Sequence, residues 1–146
     1  MGGSADTVLK RVALHADGYF CSTSALANFA AIWEKIACYA KAGGRDPERI
    51  ERAGLNFLAI DDDKRRAVAT CEAYFQECYG KAPSNIADHM IVGPAEACAA
   101  RIEKLFKLGI DTVVLGSIVP DLRQIDAIAQ KILPQLKLGQ TLESPA

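Results

Sequence analysis

Hydrophobic positions along the chain follow two patterns, and their alternation predicts an α/β fold. Short runs of consecutive apolar residues, typical of strands buried on both faces, occur at Tyr19–Cys21, Leu55–Ile60 and Thr112–Leu115. Between these runs apolar residues recur every three or four positions, as they do on one face of a helix. The predicted helices span residues 6–15, 25–42, 64–78, 94–108 and 122–133. Strands that alternate with helices form parallel sheets, so we expect three parallel strands with flanking helices.

Capping and breaking residues support the predicted ends of the helices. Asp6 is a candidate N-cap of the first helix, and Asp61-Asp62-Asp63 cap the helix that follows the second apolar run. Gly43-Gly44 and Gly109 follow the ends of two helices, and Pro94 lies in the first turn of another. The segments between the helices and the apolar runs are therefore predicted to be short connections.

Composition and charge limit the classes of function. The 146 residues are 50% hydrophobic and 24% charged, which predicts one globular domain over residues 1–138 followed by a flexible tail over 139–146. A net charge of -1 argues against nucleic acid as a partner. No apolar run approaches the roughly 20 residues of a membrane span, and no signal peptide is recognisable, so a cytoplasmic protein is expected. Five scattered cysteines without a CxxC pair predict neither disulfides nor a zinc site.

Several short motifs, taken in order, resemble the C-terminal half of the luciferase-like monooxygenase superfamily. The motifs are Gly2-Gly3-Ser4 before the first helix, the Ala-Asp-Gly strand entry at 16–18, the Ala-Gly-Gly-Arg-Asp-Pro connector at 42–47, Val-Gly-Pro-Ala-Glu at 92–96, Gly-Ile-Asp at 109–111 and Leu-Pro at 133–134. No single motif is specific, but the ordered set covers nearly the whole chain.

The resemblance implies half of a TIM-type (β/α)8 barrel and a flavin-type cofactor. A complete barrel needs about 250 residues, and this chain begins where the fifth strand of the family ends. In the family the Gly-Gly-Ser loop contacts the phosphate-bearing tail of FMN or coenzyme F420, which implies cofactor binding at Gly2, Gly3, Ser4 and Ala5. A glycine loop before a helix suits phosphate because it presents free N–H groups. The first half of the barrel holds the ring, so FMN, F420 and the substrate are not distinguished.

Other polar residues lie near the predicted strands and are candidates for catalysis. His15 and Asp17 precede the first strand, whereas catalytic groups in such barrels follow the strands. His89 is predicted to lie in an exposed loop. The groups that follow strands are Cys21, Ser22, Thr23, Asp61, Asp62, Gly116 and Ser117. None belongs to an HxxxH, GxSxG or P-loop motif, so the catalytic residues remain unknown and no metal is expected.

Three functions are compatible with these observations. The first is a truncated oxidoreductase domain that keeps part of a cofactor site but is not catalytic by itself. The second is a non-catalytic half-barrel module that binds a second copy of itself. The third is an enzyme whose pocket is assembled between two chains. In each case we expect a homodimer or higher oligomer, because Leu55, Phe57, Leu58 and Ile60 make both faces of the sheet apolar.

Overall fold

The computed structural model of the chain describes residues 1–136. The strands are β1 (Gly18–Cys21), β2 (Glu51–Ile60), β3 (Ile91–Gly93) and β4 (Thr112–Ser117). The α-helices are α1 (Asp6–His15), α2 (Phe29–Ala42), α3 (Lys64–Tyr79), α4 (Ile86–His89), α5 (Ala95–Lys107) and α6 (Leu122–Ala127). The predicted tail at 139–146, and the end of the predicted domain at 138, lie outside the described residues.

Strand β2 organises the sheet because it pairs in parallel with all three other strands. Residues 51–54 pair with β1, residues 58–60 with β3 and residues 53–58 with β4. Gly54 pairs with both β1 and β4, and Leu58 pairs with both β3 and β4, so β4 must occupy one edge of β2 alone. The strands β1 and β3 therefore share the opposite edge, and residues 55–57 lie between them. The sheet is open and does not close into a ring.

One face of the sheet carries the larger hydrophobic core. Tyr19 and Cys21 of β1 and Leu58 of β2 point to this face and are buried. Helices α1, α2 and α5 cover it, and their buried residues include Val12, Ile36 and Ile102. Burial of side chains of this size stabilises the fold by roughly 1.5–3 kcal/mol each. These helices therefore form the outer layer of an α/β architecture.

The opposite face is covered only at its carboxyl-terminal end. There Phe57 of β2 packs edge-on against Phe75 of α3, with ring centroids 5.2 Å apart. Towards the amino-terminal end the neighbouring strands present Phe20, Leu55 and Val114, and no described helix covers them; Phe20 and Val114 are 38% and 39% exposed. This uncovered part is called the open face below. Helix α3 thus covers part of the second face, and the sheet has helices on both sides.

The predicted strands and their parallel direction are confirmed, with three differences in extent. Strand β2 begins at Glu51, four residues before the predicted start, because polar residues also belong to the strand. The guanidinium of Arg52, for example, donates two hydrogen bonds to the Asp111 carboxylate at the entry to β4. Strand β3 was not predicted, since it has only three residues. The predicted helix at 25–42 begins with a 3₁₀ segment at Thr23–Asn28.

The last predicted helix, at 122–133, changes its winding twice. Helix α6 passes into a π-helix at Ile128–Ile132 and then into a 3₁₀ turn at Leu133–Gln135. Its first turn is fixed to the sheet, because the Gln124 side chain accepts a hydrogen bond from the Ile60 amide (2.8 Å) and donates one to the Ile60 carbonyl (2.9 Å). The Gln124 side chain thus makes the two hydrogen bonds to Ile60 that a neighbouring strand would make at the end of β2.

Candidate functional site

The first residues of the chain extend the sheet beyond β1. Gly2 forms a parallel bridge with Phe20, and the Phe20 amide donates to the carbonyl of Met1 at 2.7 Å. A side chain at Gly2 would place its Cβ 2.7 Å from the Phe20 carbonyl oxygen, so glycine is required there. The chain then turns through Gly3, whose φ of 122° favours glycine, and enters α1. The loop at residues 2–5 therefore lies at the carboxyl end of the strands, where parallel α/β proteins bind ligands.

The start of α1 offers free backbone donors. The amides of Ser4, Ala5, Asp6 and Thr7 donate no hydrogen bond to the part of the chain between residues 1 and 136. Asp6 was predicted to be the N-cap, but this is wrong: Ala5 is the N-cap and no side chain caps the helix. The cap is missing because the methyl side chain of Ala5 has no acceptor, while the Asp6 side chain contacts α2.

The Asp6 carboxylate is bound by residues of α1 and α2. The Tyr39 hydroxyl lies 2.8 Å from both of its oxygens, and Lys10 and Lys35 each lie 3.6 Å away. The hydrogen bond from Tyr39, followed by the charges of the two lysines, lowers the pKa of Asp6. These cations offset the negative charge that would otherwise repel an anion at the helix N-terminus.

A cavity of about 610 Å³ opens at the same end of the sheet. We call it the mouth cavity. Its walls are mainly apolar, from Leu55 and Phe57 of β2, Phe75 and Tyr79 of α3, Ala82, Pro83 and Met90. Its polar groups are Ser22, Thr23 and Ser24 after β1, with Lys81, Ser84 and His89. A concave apolar site of this size with a few polar groups suits a small organic molecule.

Two hydrogen bonds fix the walls of the mouth cavity where the edge of β2 lacks a strand partner. The Thr23 hydroxyl donates to the Leu55 carbonyl at 2.8 Å, and the amide of Asn56 donates to the His89 carbonyl at 3.1 Å. Asn56 is fully buried. The loop after β1 and the end of α4 are therefore both held against β2, and the cavity is preformed.

Of the sequence candidates His15, Asp17 and His89, the structure brings only His89 to the mouth cavity. His15 ends α1 and Asp17 directly precedes β1, so both lie at the amino end of the sheet, away from the mouth cavity. The prediction that His89 lies in an exposed loop is wrong, since it ends α4, is partly buried and lines the mouth cavity. The residues around His89 do not predict this position, because the hydrogen bond that fixes it comes from the buried side chain of Asn56, 33 residues earlier.

Comparison with solved structures identifies the fold. The chain matches the coenzyme F420-dependent tetrahydromethanopterin reductase of Methanopyrus kandleri with a TM-score of 0.71 and 20% identity, over 94% of this chain and 50% of that one. It matches an F420-dependent secondary alcohol dehydrogenase in complex with an F420–acetone adduct with a TM-score of 0.75 and 19% identity, over 91% and 47%. This chain has the fold of half a luciferase-like barrel. A type II Baeyer–Villiger monooxygenase of Pseudomonas putida, in complex with FMN, matches at a TM-score of 0.65 and 16% identity, over 94% and 48%.

The chain spans about half the length of the solved structures it matches. No protein-family model and no curated protein sequence matches the chain. The predicted resemblance and the predicted half of a TIM-type barrel are confirmed at the level of the fold. At these identities the match does not extend to ligands or activity.

The acidic run at residues 61–63 is used for capping, as the sequence predicts, and also for ion pairing. Asp63 accepts a hydrogen bond from the Arg65 amide (2.8 Å) and so caps α3. Asp61 pairs with Arg66 at 2.7 Å, and this interaction lowers the pKa of Asp61. Among residues 1–136, no group of three or more His, Cys, Asp or Glu side chains is arranged to hold a metal ion. Within the same range, no helix has the length and hydropathy needed to cross a membrane.

Proposed function

We propose that this chain is the half of a luciferase-like, flavin- or F420-dependent oxidoreductase domain that binds the cofactor tail, and that it is not catalytic by itself. The observation that carries the proposal is the pairing of Gly2 with Phe20, which puts the loop at 2–5 on the carboxyl edge of a luciferase-like sheet. The mouth cavity opens at the same edge, and it supports a site there for the rest of a cofactor or for a substrate.

The proposed ligand of the loop is the phosphate-bearing tail of FMN or F420. Gly2, Gly3, Ser4 and Ala5 would bind it through the backbone, with the free amides from Ser4 to Thr7 as donors. Of the three neighbours named above, two are described with F420 and one with FMN, so both cofactors are candidates. The ring would need walls that these residues do not supply, because the matched barrels are about twice as long.

FMN is expected to bind the chain more tightly than riboflavin, which lacks the phosphate. The difference should be about tenfold in Kd, since each charge-assisted hydrogen bond to a phosphate is worth more than a neutral one. Amide shifts in nitrogen-15 spectra should mark Ser4 to Thr7. Gly3→Val, which strains a backbone with φ of 122°, should remove the difference, whereas Gly44→Val at a remote φ of 73° should not. Equal binding of the two flavins would contradict the loop assignment.

The absence of catalysis is proposed because residues 1–136 place no hydrogen-bonded acid–base pair at the mouth cavity. The hydrogen bond between its polar side chains joins Ser22 and Ser24, Oγ to Oγ at 3.2 Å, and two serines supply no strong base. His89 and Lys81 also line the cavity, but within residues 1–136 neither side chain is hydrogen-bonded to a second acid or base. The positions that hold the reacting ring in the family belong to the other half of the barrel.

The purified chain is therefore expected to show no turnover with reduced FMN or F420. The measurement is oxidation of the reduced cofactor with a panel of aldehydes and ketones, and reduction of the oxidised cofactor with a panel of alcohols, beside a full-length F420-dependent alcohol dehydrogenase as the positive control. A rate above the buffer blank would refute the proposal and favour an enzyme assembled between two chains.

The proposed partner is a second copy of the chain, bound through the open face. Phe20 and Val114 expose apolar surface on a sheet face that a barrel would bury. A homodimer is compatible with all three functions: the partial enzyme, the non-catalytic module and the two-chain enzyme. Because all five cysteines are free thiols, the proposed compartment is the cytoplasm.

A further inference from the structure

One wall of the mouth cavity is a row of aromatic rings. Phe57 of β2 meets Phe75 of α3 edge to face, with ring centroids 5.2 Å apart. Tyr79, one helical turn after Phe75, stacks on Phe75 with ring centroids 5.4 Å apart and 23° between the ring planes. Phe75 is buried, whereas Tyr79 is 63% exposed, so the row runs from the core to the surface. It offers flat aromatic surface to a molecule that enters the cavity.

The turn after α3 supports this wall and brings a lysine to the cavity. Gly80 ends α3 in the left-handed conformation, with a φ of 74°. The Gln76 side chain donates a hydrogen bond to the Gly80 carbonyl at 2.8 Å and so supports the turn. The chain changes direction there, and Lys81 and Pro83 line the cavity together with Tyr79.

The lining of the mouth cavity has a cation but no carboxylate. Lys81 is the cation, His89 is the other basic side chain, and among residues 1–136 no Asp or Glu side chain lines the cavity. Glu77 is the acid nearest to Lys81 along the chain, but within the same residues Lys81 forms no ion pair. Asp88 precedes His89 but lines two other cavities. The exposed ammonium group of Lys81 can therefore pair with an anion in the mouth cavity.

The cleft between α3 and α6, of about 440 Å³, differs in this respect. Its lining includes Arg66 and Arg123, and these pair with Asp61 and Asp121 of the same lining. An acidic ligand there would compete with two carboxylates that are already in place. The mouth cavity is therefore the better site of the two for an acid.

We propose that the mouth cavity binds an aromatic carboxylic acid as the substrate of the half-domain. The ring lies against Phe75 and Tyr79, and the carboxylate pairs with Lys81. Ser22 and Ser24, whose hydroxyl oxygens lie 3.2 Å apart, can form hydrogen bonds with a hydroxyl or carbonyl group on the ring. The substrate role rests on the function proposed above, whereas binding of the acid can be measured without a cofactor.

Calorimetric titration of the full chain with three small molecules tests the proposal. The molecules are 3-phenylpropanoate, its neutral analogue 3-phenylpropanamide, and hexanoate, which has the carboxylate but no ring. The aromatic acid should bind saturably. The amide should bind about fivefold more weakly, because it cannot form an ion pair at this partly exposed site. Hexanoate should also bind about fivefold more weakly, because it loses the contacts between rings.

Two substitutions assign the binding to the mouth cavity. Lys81→Gln should raise the Kd for 3-phenylpropanoate about fivefold and leave the Kd for the amide unchanged. Tyr79→Ala should raise the Kd for both molecules about fivefold. The matched control is Lys41→Gln, which removes an exposed lysine of α2 outside the cavity lining and should bind as the unchanged chain does. Lys81 and Tyr79 are exposed, so both variants should fold, and thermal melting checks this.

Several results would overturn the proposal. They are an absence of saturable binding of 3-phenylpropanoate, equal affinity for the acid and the amide, equal affinity for hexanoate, and unchanged affinity of folded Lys81→Gln or Tyr79→Ala. Failure of this site is distinguishable from failure of the cofactor loop. If the aromatic acid does not bind but FMN still binds more tightly than riboflavin, this proposal alone is refuted. If the aromatic acid binds and the two flavins bind equally, the loop assignment alone is refuted.

Discussion

Replacing Asn56 by Asp is expected to lower the free energy of unfolding by about 3–5 kcal/mol at pH 7. Asn56 is fully buried in the middle of β2, and its amide donates to the His89 carbonyl. An aspartate there would be a charge without a cation partner, facing a carbonyl oxygen that repels it. Urea unfolding followed by circular dichroism measures the change.

The loss of stability should depend on pH in a defined direction. Burial raises the pKa of a carboxyl group, so the folded variant holds its proton more tightly than the unfolded chain does. The penalty should be small below the unfolded pKa of about 3.9 and grow as the pH rises to the folded pKa. Asn28→Asp, at an exposed position, is the matched control and should show little change. Equal stability of the two variants at pH 7 would refute the structural role given to Asn56.

Replacing Phe20 by Arg is expected to separate the proposed dimer into monomers, with the dimer Kd raised at least about a hundredfold. The reason is that Phe20 lies on the open face, and a guanidinium without a partner is costly in an interface core. Light scattering after a sizing column should give twice the 15.7 kDa chain mass for the unchanged chain and one chain mass for Phe20→Arg.

The control for the dimer is an exposed leucine elsewhere on the surface. Leu122, at the start of α6, is 80% exposed, and Leu122→Arg should leave the dimer intact. A monomer at micromolar concentration for the unchanged chain would contradict the proposed self-association. A dimer that survives Phe20→Arg would show that another surface forms it.

The sequence predicts the layers of the fold well because burial imposes them. Tyr19–Cys21, Leu55–Ile60 and Thr112–Leu115 are apolar runs, and the structure makes each one part of a parallel strand. Where polar residues extend a strand at its start, as at Arg52, the apolar run begins later than the strand does. Strand β3 has only three residues, too few for any period to be recognised.

The candidate site is less predictable, since its geometry depends on contacts between distant residues. The position of His89 depends on Asn56, 33 residues earlier, and that of the loop after β1 on Leu55, 32 residues after Thr23. The direction of the Asp6 side chain depends on Tyr39, which favours an ion-pair cluster over a helix cap. No local sequence pattern predicts these contacts between distant residues.

The central place of β2 has a consequence for how the chain folds during synthesis. Its partners are 33 residues earlier (Gly18 with Glu51) and 59 residues later (Ala53 with Thr112). The ribosome must therefore release β4 before β2 has both neighbours, and until then the apolar edge of β2 is free to pair with another nascent chain. Amide exchange in the finished protein should be slowest along β2, because losing it opens every other strand at once.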